Sequence, residues 1–119
     1  MMIYKTTVTK LGALACDFLA ENILILFKDN APEELAEYCV LHQENQLIDK
    51  IQPGDTAILA GQAFEVTAVG SAVEKNLRSL GHITIKADGA KEAELPGTLS
   101  LEAKPLPLLK EGDTITISR

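Results

Sequence analysis

The chain contains no tryptophan and few aromatic residues of any kind, 4% of the total. Proteins that bind single-stranded nucleic acid stack bases on aromatic platforms beside basic grooves. Here the lysines are scattered and the net charge is −6, so nucleic acid is not an expected partner. Only Cys16 and Cys39 are present, without a CxxC spacing, which signals neither a disulfide framework nor a zinc site. Cysteine is commonly a small buried hydrophobe, and no redox pair is expected. Long hydrophobic runs are also missing. The longest, Ile23 to Phe27, is far short of the ~20 residues that span a bilayer, and the N-terminus has no cationic region followed by an apolar stretch. A cytoplasmic protein is expected. The acidic balance suits encounter with a positively charged partner, or is simply a solvated face.

What the chain does have is core-forming material. Its 119 residues are 46% hydrophobic, enough for one globular domain spanning 1–119. Ile3 to Thr9 is rich in β-branched residues, and Ile23 to Phe27 is continuously apolar. Thr56 to Leu59 follows a turn at Pro53-Gly54-Asp55. Gln62 to Val69 alternates, with Phe64, Val66 and Ala68 on one side and Glu65 and Thr67 on the other; His82 to Lys86 and Thr114 to Ile117 repeat that pattern. Gly54-Asp55 and Gly112-Asp113 each launch a strand. Short strands between Gly, Pro and Asp turns predict a mainly β fold, a small closed antiparallel β-barrel that leaves no open edges. One or two short helices should plug or flank it. Pro32 to Tyr38 opens with Pro at a first helical position followed by acidic residues. Ser71-Ala72-Val73-Glu74 matches a capping box, with Val73, Leu77 and Leu80 on one face before Gly81. The run from Pro96-Gly97 through Pro105 and Pro107 reads as turns between final strands.

Chemistry narrows to two histidines, the only ones in the chain. Near neutral pH an imidazole remains largely an unprotonated nucleophile, with a reference pKa of ~6.5. His42 ends the run Glu34 to His42, and alternation puts Cys39 and Leu41 on one face and Val40 and His42 on the other, a face that can open to a partner. A histidine hydrogen-bonded at a strand end is the plainer alternative. His82, after Gly81, can hydrogen-bond a phosphate or the other imidazole, or serve as a structural cap. No HxH, HxxxH or HExxH spacing marks a metal site, and no GxSxG marks a serine hydrolase. Gly70-Ser71 precedes a helix, whose free N–H groups can bind an anion, but GxxxxGK[ST] is absent. Neither cofactor nor metal is expected.

Longer blocks add a resemblance. Ala31 to His42, Val66 to Ser71, Asn76 to Thr84 and Glu94 to Thr98 resemble the glucitol/sorbitol-specific IIA component of the bacterial phosphoenolpyruvate-dependent sugar phosphotransferase system, over nearly the whole chain. The resemblance implies a closed β-barrel phosphocarrier, a phosphotransferase working through a phosphohistidine. The small phosphocarrier protein HPr would phosphorylate a histidine that falls on His42. The group would then pass to the IIB component, which serves the membrane sugar permease, so membrane association would be indirect. In that scheme neutral His42 attacks through Nε2 while a hydrogen bond on its other nitrogen fixes the tautomer. His82 and backbone N–H groups stabilise the phosphoryl oxygens. Val40 and Leu41 would centre a modest docking surface with an acidic or uncharged rim. The competing reading is a non-catalytic β-barrel binding or adaptor module with two structural histidines.

Overall fold

A computed structural model describes residues 1–119. Eight strands close into one barrel in the order β1-β3-β2-β6-β7-β5-β4-β8. They are β1 (Met2–Leu11), β2 (Ile23–Lys28), β3 (Val40–Leu47), β4 (Thr56–Leu59), β5 (Gln62–Val69), β6 (Ile83–Lys86), β7 (Thr98–Leu101) and β8 (Thr114–Ser118). Three short helices accompany them: α1 (Ala15–Leu19), α2 (Glu33–Ala36) and α3 (Val73–Leu80). The mainly β closed barrel is the expected architecture.

Two details differ from an all-antiparallel barrel with one or two helices. β2 pairs with β3, and β6 with β7, in parallel. Parallel neighbours need a long crossover, and the chain supplies one each time: α2 and its flanking loops between Lys28 and Val40, and the segment between Lys86 and Thr98. The segment expected to be turns after Pro96-Gly97 contains β7, whose residues Thr98 to Leu101 are all buried. A strand covered on both faces shows no alternation, which hides it from a period-two reading.

The interior is built by the predicted alternation. Phe64, Val66 and Ala68 of β5 point inward, joined by Ala57, Leu59, Ile115 and Ile117 from β4 and β8. The two Gly-Asp turns share one device. The Asp55 carboxylate accepts from the Gln52 N–H at 2.8 Å and the Asp113 carboxylate from the Lys110 N–H at 2.9 Å, with Gly54 and Gly112 at φ 95° and 89°.

Helix α3 covers part of the barrel, packing on β3 and β6 with Val73 and Leu77 fully buried in the main core. Its third expected apolar contact is not made, since Leu80 is 47% exposed. Its N-cap is Ala72 without a side-chain cap, so the Ser71 capping box does not form. Instead the Ala72 N–H donates to the Pro96 carbonyl at 2.9 Å and the Val73 N–H to Gly70 at 3.1 Å. Those two donors are spent within the protein. Gly81 ends the helix in the left-handed conformation at φ 63°, as expected of it. Helix α2 is shorter than the Pro32 to Tyr38 reading, with Pro32 as its N-cap. Cys39 is buried as expected, whereas Cys16 is exposed.

Candidate functional site

β3 carries His42, and its backbone explains where the ring goes. Val40 belongs to the main core, while Leu41 and Cys39 join Phe27 in a second apolar cluster that packs Ile25, Ala31 and Ala36 against it. The alternation read from the sequence therefore holds, but both faces are covered. The face bearing His42 is the barrel interior, and the ring is 0% exposed. The openness expected of His42, and the docking role expected of Val40 and Leu41, are not what this arrangement offers: all three are buried because β3 lies between the core and the second cluster.

Both ring nitrogens of His42 are engaged. Nδ1 lies 2.6 Å from the Thr6 hydroxyl, and Nε2 lies 2.8 Å from the Gly81 carbonyl. Burial lowers the His42 pKa below the ordinary imidazole value, with the nearby Lys28 charge adding to the effect; the Gly81 hydrogen bond and the Asp29 carboxylate oppose it. The ring is thus neutral near pH 7. A carbonyl only accepts, so Nε2 carries the hydrogen and donates it to Gly81, leaving Nδ1 bare to accept from Thr6. The Thr6 hydroxyl also lies against the Gln43 carbonyl, which it can serve only when a protonated His42 donates to it instead.

Thr6 reaches this position through an irregular register. β1 and β3 slip between Lys5 and Thr7 and again between Val8 and Lys10, while opposite the first slip Glu44 and Asn45 take positive φ values of 75° and 44°. Such bulges re-aim side chains, and here Thr6 is turned into the barrel, fully buried. Asn45 ties the irregular region to its surroundings. Its N–H donates to the Thr6 hydroxyl at 3.2 Å, its side-chain oxygen accepts from Tyr4 at 2.8 Å, and its amide donates to the Leu77 carbonyl.

His82 is arranged the other way round. It lies just outside β6, partly exposed, with its ring stacked on Phe27 at a centroid distance of 4.6 Å and 29° between planes. Its Nδ1 donates to the Leu26 carbonyl at 3.0 Å, so in the neutral ring Nε2 is the unprotonated nitrogen. Nε2 makes no hydrogen bond within the protein and is not among its buried unpartnered atoms. One dipeptide joins the two imidazoles, since His42 holds the Gly81 carbonyl and His82 follows it in the chain.

Gly81 is required twice over. Its φ of 63° suits glycine, and a Cβ there would meet Lys28 Cγ at 2.4 Å and His42 Cε1 at 3.0 Å. The same distances show that the Lys28 side chain lies across this turn. Its backbone is in register with His42, and its ammonium enters none of the ion pairs of the protein. Sequence reasoning named both histidines but missed Thr6, Lys28, Asn45 and the Leu26 carbonyl. No local pattern marks them, because bulges and a parallel pairing bring them together. No three His, Cys, Asp or Glu side chains form a metal-holding group.

The comparisons with known proteins agree with this architecture. A family model described as "PTS system glucitol/sorbitol-specific IIA component" matches residues 3–116. The glucitol/sorbitol-specific EIIA components of Escherichia coli K12 and Shigella flexneri are each 46% identical over 106 residues, covering 89% of this chain and 85% of theirs. A crystal structure of a PTS system IIA component from Enterococcus faecalis V583 superimposes with a TM-score of 0.81 at 28% identity, covering 93% of this chain and 96% of that one. A closed barrel with a pair of linked imidazoles, and a family match running almost end to end, converge: this chain belongs to the glucitol/sorbitol-specific IIA component family of the sugar phosphotransferase system.

Proposed function

We propose that the protein is a cytoplasmic phosphocarrier that takes a phosphoryl group from phospho-HPr on a histidine of the His42–His82 pair and passes it to the IIB component of a sorbitol permease. Family membership supports the relay. The observation that carries the chemistry is the tautomer pattern: a hydrogen bond on one nitrogen of each ring decides which other nitrogen keeps a lone pair. Phosphoryl transfer has a loose transition state, so little is asked of the protein beyond a placed nucleophile and nearby positive charge. The imidazoles and Lys28 meet that need. The resemblance assigns the acceptor to His42; transfer to its Nε2 requires the Gly81 carbonyl to swing away, opening a path into the barrel.

The surroundings suit a transient partner. His82 stacks on Phe27, and α2 packs Ala36 on the same small cluster while leaving Leu35 45% and Tyr38 40% exposed beside Glu33, Glu34 and Glu37. An apolar spot with an acidic border fits a basic donor that must leave after transfer. No helix is long and apolar enough to cross a membrane, consistent with membrane contact only through the permease.

The test is incubation with phosphoenolpyruvate, the first enzyme of the pathway and HPr, followed by assay for acid-labile, base-stable phosphate. One phosphate per chain is expected, absent from the His42→Gln/His82→Gln double variant. A chain that stays unlabelled with active donor would instead be a binding module.

A further inference from the structure

We infer that Thr6 is a positioning residue for phosphoryl transfer: its hydroxyl reverses the hydrogen bond to His42 and hands its own hydrogen to the Gln43 carbonyl as the ring takes phosphate on Nε2. This rests on the phosphocarrier reading, with His42 the acceptor as the resemblance assigns. A hydroxyl donates once and accepts twice. Three polar groups surround Thr6 Oγ1: His42 Nδ1 at 2.6 Å, the Asn45 backbone nitrogen at 3.2 Å and the Gln43 carbonyl. The Asn45 N–H always donates and the Gln43 carbonyl always accepts. Only Nδ1 can change roles, so the state of the ring decides where the Thr6 hydrogen points.

Two arrangements follow. In the resting ring Nε2–H serves Gly81 and Nδ1 is bare. Thr6 then donates to Nδ1, and the Gln43 carbonyl faces Oγ1 with no hydrogen between them. With phosphate on Nε2 the ring hydrogen sits on Nδ1. Nδ1–H donates to Thr6, Thr6 donates to Gln43, and the Asn45 N–H fills the second lone pair, so every capacity of the hydroxyl is used. A phosphorylated ring that keeps Nδ1–H is positively charged. Hydrogen bonds running in a chain from a cation to a carbonyl are stronger than the same bonds between neutral groups. Thr6 therefore favours the phosphorylated ring, and the transition state leading to it, over the resting ring. The Gly81 hydrogen bond favours the resting form. Opposed preferences on the two nitrogens suit a carrier that must both take and surrender its cargo.

The surroundings hold Thr6 to this task. It is fully buried, turned inward at the β1–β3 slip, and its branched Cβ restricts rotation of the hydroxyl. Asn45 is itself pinned by the Tyr4 hydroxyl and the Leu77 carbonyl.

Hydrogens and electrons balance. When the Gly81 carbonyl withdraws, water entering the opened turn takes the Nε2 hydrogen and one returns to Nδ1, leaving the ring neutral. The Nε2 lone pair then bonds to phosphorus as the phosphorus–nitrogen bond of a phosphoramidate donor breaks, and that electron pair returns to the donor nitrogen. Nδ1–H stays on Thr6. In onward transfer the next nucleophile attacks phosphorus and the pair returns to Nε2.

The test uses full-length protein carrying nitrogen-15 histidine, observed by NMR at neutral pH before and after phosphorylation through phosphoenolpyruvate, the first enzyme and HPr. The His42 hydrogen is expected on Nε2 before and on Nδ1 after, where it is protected from exchange with water. Thr6→Ser keeps the hydroxyl and should label near the wild-type rate with the protected Nδ1–H retained. Thr6→Val keeps the shape without the hydroxyl; per folded molecule it should label roughly 10- to 100-fold more slowly and lose that protection. Equal rates for the Ser and Val variants, or phosphate on the chain with His42 Nδ1 still bare, would overturn the inference while leaving the phosphocarrier reading intact. Absence of phosphate from the unaltered protein would remove both. The spectra of the unaltered protein decide the matter even if Thr6→Val does not fold.

Discussion

The barrel has two walls of different character. On one side, β4 pairs with β5 and β8 in unbroken register, Ala57 opposite Phe64 and Ile117, Leu59 opposite Gln62 and Ile115, and its inward side chains are apolar. On the other, β1 and β3 slip twice, two non-glycine residues adopt positive φ, and buried Thr6 and His42 replace aliphatic side chains. Backbone strain and buried polar groups cost stability and persist where surrounding structure enforces them. The regular wall therefore supplies the rigidity that lets the irregular wall hold a polar network and a histidine-bearing turn.

That division can be broken from either side. Phe64→Ala in the regular wall should lower unfolding free energy by about 3–5 kcal/mol in urea titration, while the phosphorylation rate per folded molecule stays unchanged. In the irregular wall, Thr6→Val removes the donor to His42 Nδ1 and the acceptor for the Asn45 N–H. It should cost about 1–3 kcal/mol by the same assay and should also slow labelling, since the His42 ring loses its anchor. Gly81→Ala forces an alanine into the left-handed region, about 1–2 kcal/mol, and displaces Lys28 Cγ. Its loss of labelling rate should be out of proportion to its loss of stability.

The smallest effect is in pH. Burial depresses the His42 pKa, so in acid the unfolded chain takes up a proton that the folded ring resists. The stabilising contribution of the neutral ring is present above the unfolded value of ~6.5 and is lost as pH falls from there through the lower folded value. The urea midpoint of the wild type should fall more than that of His42→Gln between neutral and mildly acidic pH. A parallel fall in both would show that His42 is not held neutral.

The legible and illegible parts of the molecule follow the same division. β4, β5 and β8 were readable because each strand is covered on one face and alternates, and the turns that launch β4 and β8 carry the Gly-Asp signature. β7 was hidden because all four of its residues are buried. The short α1 has no capping side chain to announce it. Both histidines were identifiable by their scarcity, and the family by its long residue blocks. What the sequence could not supply was the direction each ring faces. Alternation correctly paired Val40 with His42, but it does not say which face of a strand looks inward, and α2 and the second apolar cluster cover the other side. Thr6 and Lys28 join the site through a register slip and a parallel pairing, neither of which has a local sequence signature.

The most direct test reads the hydrogens on the two imidazoles in the unphosphorylated protein at neutral pH, by nitrogen-15 NMR correlation of ring nitrogens with ring protons. Opposite neutral tautomers are expected, Nε2–H for His42 and Nδ1–H for His82. An unprotonated Nε2 on His42 together with a protonated Nε2 on His82 would contradict the account.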